Sequence, residues 1–386
     1  MKAIISCFGK FHAFNLAEQL NKYGHLYKLI TPFYSQKTLF PFNLRKDIER
    51  INNEKVVTNF YPFILEQIFN KFNLNKYFNG FYKPSILFDK WAASQIEDGD
   101  LLIVWSNAGL NTLRAAKNIV KIRVVERGST HILFQKEILE EEFKRFNVQK
   151  EIFTDSEIEN ELIQYEEADF ISIPSKFAKK TYIDKNITPS KLIQIPYGVN
   201  LDLFKTTKKY DTTFRVVFAG GLSLRKGVHY LLEAFSKLNL KNAELLLIGS
   251  MSSEIKPFLR KYDGFYKYIG KVPHISLAKY LSQGSVFVLP SIEEGLAMVL
   301  LQAMACKLPV ICTTNSGGED LIKNGQEGFI IPIRDIGAIQ EKILYLYENP
   351  DAVEEMGLLA RKKVESEFSW EHYGEKIIAE YRRIVK

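Results

Sequence analysis

The stretch Pro290-Ser291-Ile292-Glu293-Glu294-Gly295-Leu296-Ala297-Met298-Val299-Leu300-Leu301-Gln302-Ala303-Met304-Ala305-Cys306 sets two adjacent carboxylates and a glycine between an apolar run and a helical pattern. A strand ending at Pro290, a loop and then a helix leave the first helical amides without acceptors. Such amides attract phosphate or sugar hydroxyl oxygens. Gly295 allows the backbone to approach a ligand closely. The plainer reading is that Glu293 and Glu294 only complement the helix dipole, worth about 0.3–1 kcal/mol. A second stretch, Phe218-Ala219-Gly220-Gly221-Leu222-Ser223-Leu224-Arg225-Lys226-Gly227, is a strand, a glycine turn and two adjacent cations before another helix. Arg225 and Lys226 could neutralise a leaving diphosphate beside Gly220 and Gly221; otherwise they form a solvated basic turn. Neither the Walker nor the Rossmann glycine spacing fits this stretch. No Gly-x-Gly-x-x-Gly follows Ala3–Cys7, which disfavours a nicotinamide oxidoreductase.

Short apolar runs alternating with helical patterns must hold these residues in place. Ala3–Cys7, Leu26–Ile30, Leu101–Trp105, Arg123–Glu126 and Ala168–Ile173 read as strands, with helices around Ala13–Tyr23 and Leu110–Ile119. The pattern restarts with strands at Arg215–Phe218, Glu244–Ile248, Val286–Leu289 and Pro309–Cys312. Helices at Val228–Leu238, Ile275–Leu281, Ala297–Cys306 and Ile336–Tyr347 separate and follow them. Two such sets in 386 residues predict an α/β protein of two Rossmann-like, doubly wound domains, joined near Tyr197–Tyr210. The 52 basic and 45 acidic residues leave +7, split as +4 over 1–200 and +3 over 201–386, so nucleic acid is not an expected partner. Cys7, Cys306 and Cys312 match neither a disulfide framework nor zinc spacing. The opening apolar run is too short for a signal peptide or a membrane span, so a cytoplasmic enzyme is expected. Residues 60–91 crowd aromatics (Phe60, Tyr61, Phe63, Phe69, Phe72, Tyr77, Phe78, Phe81, Tyr82, Phe88, Trp91) among Lys71, Lys76, Lys83 and Lys90. This reads as a helical cover on the first sheet, with a bilayer-interface or acceptor-groove surface as the alternative.

Together with Ile195-Pro196-Tyr197-Gly198-Val199-Asn200-Leu201-Asp202-Leu203-Phe204, these stretches resemble retaining glycosyltransferases of family 4, which have the GT-B fold. Ala168-Asp169, Pro174-Ser175-Lys176-Phe177-Ala178, Pro309-Val310-Ile311, Gly317-Gly318-Glu319 and Phe368-Ser369-Trp370 follow in the same order. The resemblance implies two domains facing a cleft. The first is an acceptor-binding domain over 1–204, joined by a returning helix at about 370–386. The second, over 205–369, binds a nucleoside-diphosphate-sugar. The implied reaction moves that sugar, with retention, to a hydroxyl of a glycan, lipid-linked or small-molecule acceptor in polysaccharide or glycoconjugate assembly. No cofactor and no metal are expected, since two cations stand at the phosphate turn.

On this reading Arg225 and Lys226 stabilise the diphosphate, Glu294 holds sugar hydroxyls, and His131 contacts the donor sugar or positions the acceptor. Gly220, Gly221, Gly295, Leu296, Ala297, Met298 and Gln302 line the donor site, while Gly9 and His12 line the acceptor side of the cleft. Two positions depart from the family. Gln302 replaces the second glutamate of a Glu-x7-Glu motif, and an amide can still serve ribose hydroxyls. Gly221 replaces an arginine, whose charge Arg225 restores. His25, His229, His274 and His372 read as structural or exposed, and Asn186-Ile187-Thr188 as an idle glycosylation sequence. Peripheral contact with the inner membrane face is an expectation from residues 60–91. The alternatives are a nucleotide-sugar-binding paralogue with little turnover and a nucleotide-sugar epimerase of the same fold.

Overall fold

The structure, a computed structural model, describes residues 1–9, 12–34, 51–72 and 83–386. The first part of the chain runs β1 (Ala3–Ser6), α1 (Ala13–Lys22), β2 (Leu26–Thr31), β3 (Val56–Thr58), α2 (Tyr61–Lys71), α3 (Pro84–Ala93), β4 (Gly99–Trp105) and α4 (Leu110–Ala115). It continues with β5 (Val120–Glu126), α5 (Ile132–Arg145), α6 (Asp155–Glu167), β6 (Phe170–Ile173), α7 (Lys176–Ile183) and β7 (Leu192–Gln194). The second part runs β8 (Phe214–Ala219), α8 (Val228–Leu238), β9 (Ala243–Ile248), α9 (Lys256–Lys261), β10 (Lys267–Gly270), α10 (His274–Leu281) and β11 (Val286–Leu289). It ends with α11 (Met298–Ala305), β12 (Val310–Thr313), β13 (Gly328–Ile331), α12 (Ile336–Glu348), α13 (Pro350–Glu367) and α14 (Trp370–Val385).

The strands form two parallel sheets, ordered β3-β2-β1-β4-β5-β6-β7 and β10-β9-β8-β11-β12-β13. Chain direction through each sheet reverses between β1 and β4, and between β8 and β11. Ligands in such sheets bind beyond the strand ends at these reversals. The loops after β8 and β11 carry Arg225, Lys226, Glu293 and Glu294, so the second reversal brings both motifs together. Central strands are apolar on both faces, as Val216, Val217, Phe218 and Val286–Leu289 illustrate, because helices cover both sides.

Every strand expected from an apolar run is present. Four others, β3, β7, β10 and β13, are the outer strands of the two sheets. They are three or four residues long, β10 is half-exposed, and β3, β7 and β13 offer only two or three consecutive apolar residues each. In the 60–91 segment, Phe88 is fully buried against the first sheet, whereas Tyr61, Ile64 and Ile68 are exposed along α2 and Phe72 just after it. Tyr77, Phe78, Phe81 and Tyr82, like Lys10 and Phe11, lie outside the described residues.

The two sheets meet through one continuous apolar cluster that joins Leu139 and Phe143 of α5 to the second domain. Next to it, Glu142 of α5 is fully buried and accepts hydrogen bonds from Tyr230 Oη (2.8 Å) and Arg334 Nε (2.6 Å), with His229 Nε2 at 3.0 Å. The chain crosses between domains twice, at 195–213 and near Ser369, where Val199 N donates to Phe368 O at 2.9 Å. Ser369 and His372 cap α14 reciprocally. Trp370, Tyr373, Ile377, Ile378 and Tyr381 then form one buried face that packs back on α1, β4 and β5.

Candidate active site

Gly227 opens α8 in the left-handed conformation (φ +66°), and a Cβ there would lie 1.9 Å from the Pro290 carbonyl oxygen. That approach locks the 220–226 turn to the start of the 290–297 loop. Ile292 N donates to Arg225 O (2.8 Å), Glu294 N to Asn315 O (2.9 Å) and Ala297 N to Ser316 O (3.1 Å). The loop is therefore fixed from both sides. Lys226 Nζ pairs with Glu294 Oε1, Arg225 Nη2 stands 3.8 Å from Glu294 Oε2, and Arg225 Nε lies 2.9 Å from Glu293 Oε2. Two cations and two carboxylates thus balance in charge. Arg225 and Lys226 keep partial exposure, while Glu293 is fully buried. Met298 and Val299 carry the open amides at the start of α11, since Ala297 N is taken by Ser316 O.

Glu293 reaches out of its own domain. Its Oε1 accepts from Ser129 Oγ (2.7 Å), Thr130 Oγ1 (2.7 Å) and Thr130 N (3.3 Å), and its Oε2 from Gln135 Nε2 (2.7 Å). Burial pushes its carboxyl up. The Arg225 guanidinium and the bonds from Thr130, Ser129 and Gln135 outweigh burial and hold it at about 2. The backbones meet beside it. A Cβ on Gly295 would lie 2.3 Å from Gly128 O, and Ser175 Oγ donates to Gly295 O at 2.5 Å. Ser129, Thr130 and Gln135 carry no local signal in the sequence beyond their place at and after the strand end Arg127-Gly128-Ser129-Thr130-His131.

The structure brings Arg225, Lys226, Glu294, Gly295, Leu296, Ala297 and Met298 together, with Gly220 and Gly221 on the turn after β8. Gly221 faces open space, its nearest neighbour being Ser250 Oγ at 3.9 Å from a built Cβ. Gln302 is nearly buried on α11, with its Nε2 3.1 Å from His274 Nε2, a pairing not foreseen for His274. Two expected cleft residues are corrected. His131 does not face the cleft: it caps α5, accepts from Leu133 N through Nδ1 (3.2 Å), and is only 2% exposed between Tyr165 and Tyr182. His12 is 4% exposed. Its Nε2 turns inward to Glu126 Oε1 (2.9 Å), and its ring packs on Trp105 and Tyr197, because buried Glu126 needs a donor. Gly9, on the same turn, is half-buried and accepts from Cys7 Sγ.

Burial, reinforced by Arg127 and Lys185, lowers His131 from the ordinary imidazole value of 6.5 to about 4. The folded protein therefore binds fewer protons than the unfolded chain between these values. The stability this provides is complete above 6.5 and is lost as pH falls to about 4. His131→Asn keeps a capping oxygen but does not titrate. Its thermal midpoint is expected to fall less than that of the wild type between pH 7 and pH 4.5. Equal pH dependence in both proteins would contradict this.

Two facing, doubly wound domains with a cationic turn and an open helix start at a strand-order reversal define a protein of the GT-B fold. Residues 213–349 match the family described as Glycosyl transferases group 1. It is 29% identical over 240 residues to the capsular polysaccharide biosynthesis glycosyltransferase CapM of Staphylococcus aureus, covering 56% of this chain and 62% of that one. The aligned regions span about half the length of the curated relatives it matches. Among solved structures, sucrose-phosphate synthase from Thermosynechococcus elongatus superposes with a TM-score of 0.69 at 18% identity, over 100% of this chain and 99% of that one. The Anabaena protein HepE in complex with UDP gives 0.69 at 13% identity, over 99% and 100%. These superpositions establish the fold.

Proposed function

We propose that this chain is a retaining glycosyltransferase of family 4 that moves a sugar from a nucleoside-diphosphate donor to a hydroxyl of a glycan, lipid-linked or small-molecule acceptor. Polysaccharide or glycoconjugate biosynthesis is the setting we propose for it. One arrangement carries the reading: Arg225, Lys226 and the open amides of α11 converge beyond the ends of β8 and β11, facing the first domain. Breaking the bond between the sugar and the diphosphate sends an electron pair to the leaving oxygen. Fixed cations and amides aimed at that developing charge are the largest source of acceleration such a site can supply. The acceptor oxygen takes the sugar, and its proton ends on the departing phosphate or solvent. Glu294, released from Lys226 as the diphosphate arrives, is free to accept from sugar hydroxyls. Gln302 keeps its amide oxygen for the ribose. With both cations in place, this mechanism calls for no metal ion.

A panel of nucleoside diphosphates and their sugars tests the reading by thermal shift. A ligand at 100 times its Kd stabilises by about 2.7 kcal/mol. At least one diphosphate is expected to raise the midpoint; a panel without effect would count against the proposal. Gln302 on His274 and the open space at Gly221 favour a second reading, binding without turnover. Donor binding with no transfer to any acceptor would select it, and an epimer formed from donor alone would select an epimerase.

We also propose peripheral contact with an anionic bilayer through α2, on the cytoplasmic face, where the buried, unpaired Cys7, Cys306 and Cys312 suit a reducing compartment. Tyr61, Ile64 and Ile68 repeat along one exposed side of the helix, and among the described residues no helix is long and apolar enough to cross a membrane. Flotation with anionic liposomes at low salt is expected to carry the protein upward. Replacing all three residues with serine is expected to abolish this; flotation unaffected by the replacements would rule α2 out.

A further inference from the structure

We propose that Glu293 is a positioning residue: from the second domain it clasps the 129–135 segment of the first and holds Arg225 in the orientation that a departing diphosphate requires. The inference rests on the transfer reading above and adds a residue to which that reading gave no role.

The geometry is specific. Glu293 has five donors: Ser129 Oγ, Thr130 Oγ1, Thr130 N and Gln135 Nε2 from the first domain, and Arg225 Nε from its own. Gln135 is itself oriented, because its Oε1 accepts from Arg127 Nη2 at 2.8 Å, and Arg127 Nε is paired with buried Glu161 at 2.8 Å. Separating the domains would strip the carboxylate of four of its five partners. A carboxylate buried this completely is tolerated only while its partners are in place. Arg225 is tied to the same group, since its Nε also donates to Glu293 O (3.2 Å) and its Nη2 reaches Ser129 Oγ at 3.4 Å. Closure of the domains and orientation of the guanidinium are thus one event. The same Arg225 Nη2 also stands 3.8 Å from Glu294 Oε2.

Arg225 spends part of its charge on Glu293, so Glu293 favours the transition state at some cost to tight binding of the ground state. This separates a positioning role from a merely structural one. Glu293→Gln keeps the size of the side chain and removes its charge. Nucleoside diphosphate affinity, measured by calorimetry on the full chain, is expected to tighten roughly threefold to tenfold, because Arg225 loses its counter-charge. Turnover is expected to fall about 10–100-fold, because the guanidinium is no longer held. Glu293→Asp, which keeps the charge, is expected to recover part of the turnover.

Glu142→Gln is the control: it removes a second buried carboxylate at the domain junction, away from Arg225, and is expected to leave diphosphate affinity as in the wild type. Affinity and turnover of Glu293→Gln falling together, or neither changing, would overturn the assignment. So would Glu142→Gln tightening diphosphate binding to the same extent. Should the wild type bind diphosphate but transfer no sugar, the transfer reading fails. Tightening in Glu293→Gln alone would then still establish that Glu293 restrains Arg225.

Discussion

Lys226→Ala is expected to lower turnover about 10²–10³-fold, the loss typical of removing one preorganised charge-stabilising donor. Lys226 stands at the end of the 220–226 turn and is held by Glu294. Its backbone amide is anchored separately, by Ser223 Oγ at 3.3 Å. The substitution therefore removes the ammonium and leaves the turn. Glu294 loses the nearer of its two counter-ions at the same time, keeping only Arg225 Nη2 at 3.8 Å, so the vacated site repels a diphosphate more strongly than an apolar site would. Donor affinity is expected to weaken along with kcat. Single-turnover rates with saturating donor separate the two effects, and near-wild-type rates would remove Lys226 from the mechanism.

Gly227→Ala is expected to destabilise the fold by more than about 3 kcal/mol, combining a strained left-handed residue with a backbone clash. The atom in the way is the Pro290 carbonyl oxygen, 1.9 Å from a Cβ at position 227. A backbone carbonyl cannot swing aside as a side chain can. Relief requires moving the 290–297 loop, and with it Glu293 and Glu294. Stability and diphosphate binding should therefore be lost together. Gly221→Ala is the contrast, since a Cβ there meets only Ser250 Oγ at 3.9 Å, and its stability should stay within about 0.5 kcal/mol of the wild type. Urea midpoints for the two variants check both statements; equal midpoints would refute the first.

What was legible in the sequence follows from how these sheets are covered. A central strand such as Val286–Leu289 is buried on both faces and must be apolar throughout, so it announces itself. The edge strands pair on one side only and need no such run; Lys267–Gly270 carries a lysine and a tyrosine to solvent. The second-domain half of the site was legible because strand, turn and helix follow one another within ten residues, as from Phe218 to Gly227.

The first-domain half was not. Glu293 and its partners Ser129 and Gln135 lie 164 and 158 residues apart in sequence. Nothing local marks a serine or a glutamine as the partner of a distant carboxylate. His131 drew attention by its type, yet a residue at the N-cap turns its ring nitrogen onto its own helix, leaving the preceding Ser129 and Thr130 to reach across. The doubled Glu293-Glu294 was the one local hint that two carboxylates had different tasks. His12 misled for a related reason: its position after β1 suggested the cleft, while the need of buried Glu126 for a donor drew it inward.

The most direct test of the account is a crystal structure of the full chain with the nucleoside diphosphate that stabilises it best. The expected density has the diphosphate within hydrogen-bonding distance of Lys226 Nζ, the Arg225 guanidinium and the amides of Met298 and Val299. A diphosphate bound elsewhere, with Lys226 still paired to Glu294, would contradict it.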